Sequence, residues 1–314
     1  MENNITIGEI IKHYRLQKKL SQEKLAQGIC DRKYISHIEL DKQIPTLDIV
    51  NQLSERLGVN LYETYALMLR HHDIETHNKI ELLNQHFSSR NISKLRELIQ
   101  HYEQLTEFQY GEPHLHLEHA KSMCVSWESQ NYEEVIKISL QALSTKEPFS
   151  IDSPPYNPRF SNIELCILNT IALNYCRAGN LKEGKKYFDF LYNYIDELFT
   201  QSHYATNRNN HFEIRFFSTL VYNYFIFFKE ETVDIQSRVD SALSLLKSLH
   251  SHRNLPELLL CKTLFLLLDN DITTATATYQ TAHHLGLYLY NQDYQEHIEQ
   301  SVLGDKLLLL APCT

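Results

Sequence analysis

The stretch SQEKLAQGICDRKYISHIEL, from Ser21 to Leu40, constrains the fold of this chain more than any other. Ser21 carries a side-chain oxygen that can accept from first-turn amides, and the polar Gln22 and acidic Glu23 follow it, so a short helix starts there. Leu25 and Ala26 give that helix an inward face. Gly28 supplies the backbone freedom to end it, and Ile29 can plug the angle before the next helix. Asp31 is a second N-cap residue. On the helix it starts, Ile35 and Ile38 lie three apart and face inward, which leaves Arg32, Lys33, Ser36 and His37 towards solvent or a partner. Two short helices joined by a tight turn, the second with a polar outer face, have the form of a unit that enters a DNA groove.

The flanks complete a five-helix head over residues 1–70. Residues 1–5 read as a loose terminus, and Thr6 caps a helix whose Ile7, Ile11 and Tyr14 form a stripe against Leu20, Leu25 and Ile35. After Glu39, Pro45 blocks continuation and Thr46 or Asp48 starts a fourth helix, with Ile49, Val50, Leu53 and Leu57 closing the core. Gly58 ends it, and NLYETY opens a fifth helix that runs towards Arg70. The polar stretch HHDIETH, residues 71–77, lacks a stripe and reads as a linker, either helical or coiled.

From Asn78 to the end, residues 78–314 read as stacked helical hairpins. The clearest is LCILNTIALNYCRAGNLKEGKKYFDFLYNYI. There Leu168, Ile171, Ala172 and Tyr175 precede a Gly179-Asn180 turn, and Gly184, Phe188 and Leu191 follow it. It resembles a tetratricopeptide repeat, with Gly184 a tolerable replacement for the usual Ala at the helix contact. An Asn turn followed by a small or apolar residue recurs at Asn91 to Leu95, at Asn131 to Val135, and at Asn270 to Ile272 with Ala275 after it. A further pair is expected from Phe212 to Leu249. The loop PFSIDSPPYNPRFS makes the spacing irregular. A hairpin alone cannot bury its apolar face, so stacking supplies the core and the array curves around a concave groove. The expected fold class is all-α, a helix-turn-helix head followed by a right-handed superhelix of such hairpins. The aromatic density from Tyr187 to Phe228 reads as repeat-core packing more readily than as a binding box.

Composition agrees with helix. Hydrophobic residues make up 43% and charged residues 22%, with only eight Gly and eight Pro in 314 residues. Neither a signal sequence nor an apolar span of membrane length is evident, so the cytoplasm is the expected location. The six cysteines form no Cys-x-x-Cys pair, and most read as buried small hydrophobes. The net charge of -9 argues at first against nucleic acid, but it is unevenly spread. Residues 1–70 hold ten Lys plus Arg against nine Asp plus Glu, a balance of +1, so the body carries -10. DNA binding would therefore depend on a locally basic face and weaken with salt.

Catalysis is not expected. HLHLEH offers His114, His116 and His119, but with no carboxylate in a zincin-like position these read as solvated histidines on an exposed helix. His283 and His284 are adjacent and face apart. There is no phosphate loop, no nucleophile elbow and no metal pattern, and no cofactor is expected.

The segment LAQGICDRKYISHIE, with Pro45 and a further amphipathic helix after it, resembles the helix-turn-helix of the Cro/repressor (XRE) superfamily. More narrowly, its Gly-Ile-Cys turn and Tyr-Ile-Ser helix resemble the RNPP class of peptide-pheromone receptors of Gram-positive bacteria. The resemblance implies a cytoplasmic transcription regulator whose head binds operator DNA as a homodimer and whose repeat body binds a short signalling peptide. Arg15 has two readings, a solvated cation or, as matching superfamily positions suggest, an anchor that pairs with Glu39 and touches a backbone phosphate.

On a recognition helix that enters the major groove N-terminus first, Arg32, Lys33 and His37 reach base edges, although Lys33 could equally neutralise a phosphate. Tyr34, Ser36, Lys42, Gln43 and the backbone amide of Gln22 fall on the flanks, where sugar and phosphate lie. The bland alternative is a solvated polar face. If the tetratricopeptide register holds, Cys166, Asn169, Leu173 and Arg177 lie on the concave side. Asn169 matters most, because an amide side chain can pair with the backbone of an extended peptide, a use the resemblance implies. Asn174 and Asn223 are further candidates, Tyr222 and Phe225 would line the groove, and Arg177 or Arg215 could hold a peptide carboxylate. Each such Asn could instead be solvated or bonded to a neighbouring hairpin. A rival reading makes the chain an adaptor whose repeats sequester a partner protein, with DNA binding secondary.

Overall fold

Four side-chain oxygens start the first four helices of the computed structural model. Thr6, Ser21, Asp31 and Thr46 accept from the backbone N–H groups of Glu9, Lys24, Tyr34 and Ile49, and Thr6 with Glu9 forms a full capping box. The structure describes residues 6–71, 73–144, 150–152, 160–201, 211–229, 232–248, 254–289 and 292–310, among which every regular element is helical. The expected loose terminus, most of the loop PFSIDSPPYNPRFS and Cys313 lie outside the described residues. No described helix is long and apolar enough to cross a membrane.

The chain forms two compact units, Met1–Glu128 and Ser129–Thr314. In the first, α1 (Ile7–Gln17), α2 (Gln22–Ala26), α3 (Arg32–Glu39), α4 (Leu47–Leu57) and α5 (Leu61–His71) surround one core. Its fully buried members include Ile10, Ile11, Leu25, Ile35, Ile38, Leu53 and Leu57. Ile10, rather than Ile7 or Tyr14, carries the centre of the α1 stripe; those two are half-buried at its edges. Gly8 has a role that the stripe does not reveal. A Cβ there would overlap the Ile38 carbonyl oxygen, so the missing side chain lets α1 lie directly on the end of α3.

Three further helices complete this unit: α6 (Ile74–Ser88), α7 (Ile92–Tyr102) and α8 (Gly111–Ser129). In the polar stretch 71–77, His71 ends α5 and Asp73 caps α6, accepting from Thr76 N–H at 2.6 Å. Residue 72 lies outside the described residues. A second core forms from Ile80, Leu83, Leu95, Phe108, Leu117 and neighbours.

The second unit contains α9 (Tyr132–Leu143), α10 (Asn162–Arg177), α11 (Leu181–Gln201), α12 (His211–Phe228), α13 (Thr232–Ser248), α14 (Leu255–Leu268), α15 (Ile272–Leu289) and α16 (Gln292–Leu303). Pairs α10/α11, α12/α13 and α14/α15 pack as hairpins, and their first helices α10, α12 and α14 are also neighbours. Turns in both units share one device. Arg90, Gly179 and Asn270 adopt φ of 50°, 86° and 61°, and the next residue (Asn91, Asn180 or Asp271) caps the following helix through its side chain. In the last of these the register is one residue later than the sequence suggests: Asn270 takes the left-handed position and Asp271 the cap.

Gly184 is more than a tolerable replacement. A Cβ there would run into Cys176 Sγ and stand 3.0 Å from the Ala172 carbonyl oxygen, so α10 and α11 meet at a distance only glycine allows. The aromatic run is core, as Phe188, Tyr224, Phe225 and Phe228 are buried and Phe225 packs edge-on to Phe265. Phe225 is therefore no lining residue.

Candidate functional site

The outer face of α3 is set by what lies beneath it. Ile35 and Ile38 are fully buried, which turns Arg32 and Lys33 outward into solvent and leaves Tyr34, Ser36 and His37 half-buried at the sides. Glu39, one turn beyond Ile35, is 5% exposed and is answered by α1. Arg15 donates from Nε to Glu39 Oε1 at 2.5 Å and from Nη2 to Oε2 at 2.8 Å, the two-pronged geometry of a strong charge-assisted pair. Its Nη1 donates to the Leu20 carbonyl at 2.8 Å. Gln22 Nε2 adds a third donor to the carboxylate, at 2.9 Å from Oε2. Hydrogen bonding to Glu39 raises the Arg15 guanidinium above its usual range, against the opposite pull of burial. One carboxylate thus ties α1, α2 and α3 together.

This clamp sorts the expected backbone contacts. Arg15 is buried and committed to Glu39 and Leu20, and the solvated-cation reading does not describe it. Gln22 spends its side chain on Glu39, while its backbone N–H lies in the first turn of α2, where helix geometry provides no partner. Lys42 and Gln43 are exposed, just after a tight turn in which Asp41 holds φ 56° and Lys42 N–H donates to the His37 carbonyl at 2.9 Å. Arg56, one residue before the end of α4, was not picked out by sequence reasoning. Its Nη1 donates to the Leu25 carbonyl at 2.9 Å and also reaches that of Gln27, capping the C-terminal end of α2. No local pattern signals a partner some thirty positions away.

In the second unit, Asn169 on α10 and Asn223 on α12 come together across neighbouring first helices, Asn223 Nδ2 donating to Asn169 Oδ1 at 3.3 Å. The alternative of a bond to a neighbouring hairpin therefore holds for this pair. Asn169 is 9% exposed and Asn223 half-buried. Asn174 is 1% exposed and donates back to the Thr170 carbonyl at 2.7 Å, so it sits inside the stack. Arg177 and Arg215 are exposed, each about two helical turns along its own helix from the Asn pair, and Tyr222 is half-buried.

The histidines of HLHLEH do not stand on a solvated helix. His114 Nδ1 lies 3.2 Å from the Phe108 carbonyl oxygen, His119 packs on Phe87, and His116 meets His71.

Residues 11–63 match the helix-turn-helix family HTH_3. No curated protein matches the chain by sequence. Among solved structures, PlcR of Bacillus thuringiensis in complex with the peptide PapR7 and DNA is similar at 17% identity and a TM-score of 0.67, covering 93% of this chain and 98% of that one. ComR from S. thermophilus in complex with DNA and its signalling peptide ComS is similar at 18% identity and a TM-score of 0.52, covering 97% and 99%. The apo form of the Bacillus thuringiensis protein gives 17% identity and a TM-score of 0.54 over 93% and 97%. The chain thus has an XRE-type helix-turn-helix and shares the fold of these structures over more than nine tenths of its length.

Proposed function

We propose that the chain is a transcription regulator that binds operator DNA as a homodimer through α3 and is switched by a short imported peptide held on the inner helices of its repeats. Its α3 carries the first half: a helix pinned from behind by Ile35, Ile38 and the Glu39 clamp presents Arg32 and Lys33 outward, as a groove-reading helix requires. Arg32, Lys33 and His37 address base edges. Tyr34, Ser36, Lys42, Gln43 and the Gln22 amide address the backbone, while Arg15 fixes the geometry from below. The fold shared with two proteins solved together with both DNA and a peptide supports the second half.

Asn169 and Asn223 are the peptide contacts this reading favours, because two amides on adjacent inner helices can exchange their mutual bond for bonds to an extended backbone. Arg177 and Arg215 lie on either side for a terminal carboxylate, with Tyr222 beside them. Asn174 acts from behind, holding α10. The test is operator affinity, read by fluorescence anisotropy, with and without candidate secreted peptides. A change of about tenfold or more, corresponding to about 1.4 kcal/mol of differential affinity, is expected, and Asn169→Ala should abolish the response while leaving peptide-free DNA binding intact. No effect from any peptide would reduce the protein to a DNA-binding one.

A further inference from the structure

The end of α5 and the start of α8 bring two imidazoles and a carboxylate to one point within the first unit. One ligand atom from each of His71, Glu112 and His116 lies within 4.8 Å of the other two. Glu112 and His116 are four apart on α8, so they share a face of that helix. His71, 4% exposed, comes in from α5, its ring perpendicular to that of His116 with centroids 5.9 Å apart. His71 Nδ1 also stands 2.9 Å from Nδ1 of His77 on α6. Glu112 is the carboxylate of this group, its side chain 12% exposed, and it forms a loose ion pair with Arg70 at 4.0 Å.

We propose that His71, Glu112 and His116 form a binding site for a divalent transition-metal ion of the zinc type, which ties the last helix of the DNA-binding head to α8. Two imidazoles and one carboxylate are a donor set that zinc accepts, with a fourth position left for water, whereas magnesium and calcium prefer all-oxygen shells. Ligand atoms of a tetrahedral zinc stand about 3.3 Å apart, given Zn–N and Zn–O distances near 2 Å. Closing from the present separation needs only rotamer-scale movement. Zinc takes histidine as the neutral imidazole and glutamate as the carboxylate, so binding should weaken in acid. His77, against His71, would orient that ring from the outer shell. Glu112 pairs with Arg70, and a dication would replace Arg70 as the stronger partner of the carboxylate.

The test uses the untagged, EDTA-treated full chain titrated with CoCl2 and followed by visible absorption, then displaced with ZnCl2. One equivalent is expected to bind with a tetrahedral-type band. Glu112→Gln and His116→Asn should each weaken binding by tenfold or more, and His13→Asn, an exposed histidine on α1, should change nothing. Zinc should also raise the melting temperature of the wild type and leave that of Glu112→Gln unmoved. Should His116→Asn lose its helical circular dichroism, Glu112→Gln decides alone. No stoichiometric band, or affinity that survives both substitutions, overturns the site and assigns any binding to scattered surface histidines. Neither readout involves DNA or peptide, so the outcome is independent of the function proposed above.

Discussion

Arg15 and Arg32 have the same side chain and opposite work. Arg15 is 8% exposed, and its guanidinium is answered by Glu39 and Leu20. Removing it would strand a buried carboxylate, so Arg15→Ala is expected to cost about 3–5 kcal/mol in urea unfolding. Replacing both partners by methionine should recover most of that loss, because no buried charge is then left unpaired. Arg32 is exposed on the outer face of α3, and its substitution should leave stability alone. In operator binding, Arg32→Ala should relax specificity at one position by about 1–3 kcal/mol, while Lys42→Ala should weaken all sequences alike and flatten the salt dependence. Binding by both variants equal to wild type would remove α3 from the interface. The outward residues were legible from sequence because Ile35 and Ile38 fix the phase of one short helix. The partners of Arg56 and His116 were not, since each depends on how separate elements pack and leaves no trace in local spacing.

Helix ends were the most legible features of the fold, for a physical reason. A cap is a bond between a side chain and an amide three residues on, so Thr6, Ser21, Asp31 and Thr46 announce their helices without reference to anything distant. Contacts between elements are another matter. Gly184 could be matched to a repeat position, but that its missing Cβ is obligatory follows only from the position of Cys176 and the Ala172 carbonyl. Gly184→Ala should therefore destabilise the protein by about 1–3 kcal/mol in chemical denaturation, despite alanine's better helix propensity. Adding Cys176→Ala should restore part of the loss by clearing the Sγ. A stabilised single variant would mean that α10 and α11 stand further apart than described. Asn174 and Phe225 illustrate the same limit: both fall on the helices chosen from sequence, yet both are turned into the stack.

At the scale of the whole molecule, charge and protonation are unevenly distributed. The acidic excess lies beyond residue 70, so under the function proposed above DNA affinity would rest on the few cations around α3. The first unit also carries the histidines that resist protonation. Burial holds His119 at about 4, against an ordinary value near 6.5. The unfolded chain therefore takes up a proton that the folded one refuses, and stability is lost as pH falls from about 6.5 towards 4, with no penalty above that window. The urea midpoint should drop between pH 7 and pH 5, and His119→Gln should remove part of the drop; an unchanged pH dependence would mean that water reaches the ring. Finally, the corners at Arg90-Asn91 in the first unit and at Gly179-Asn180 and Asn270-Asp271 in the second are each closed by two consecutive residues of their own. A duplicated hairpin would arrive with its bend already built, so unequal recombination could lengthen or shorten this architecture without redesigning a single joint.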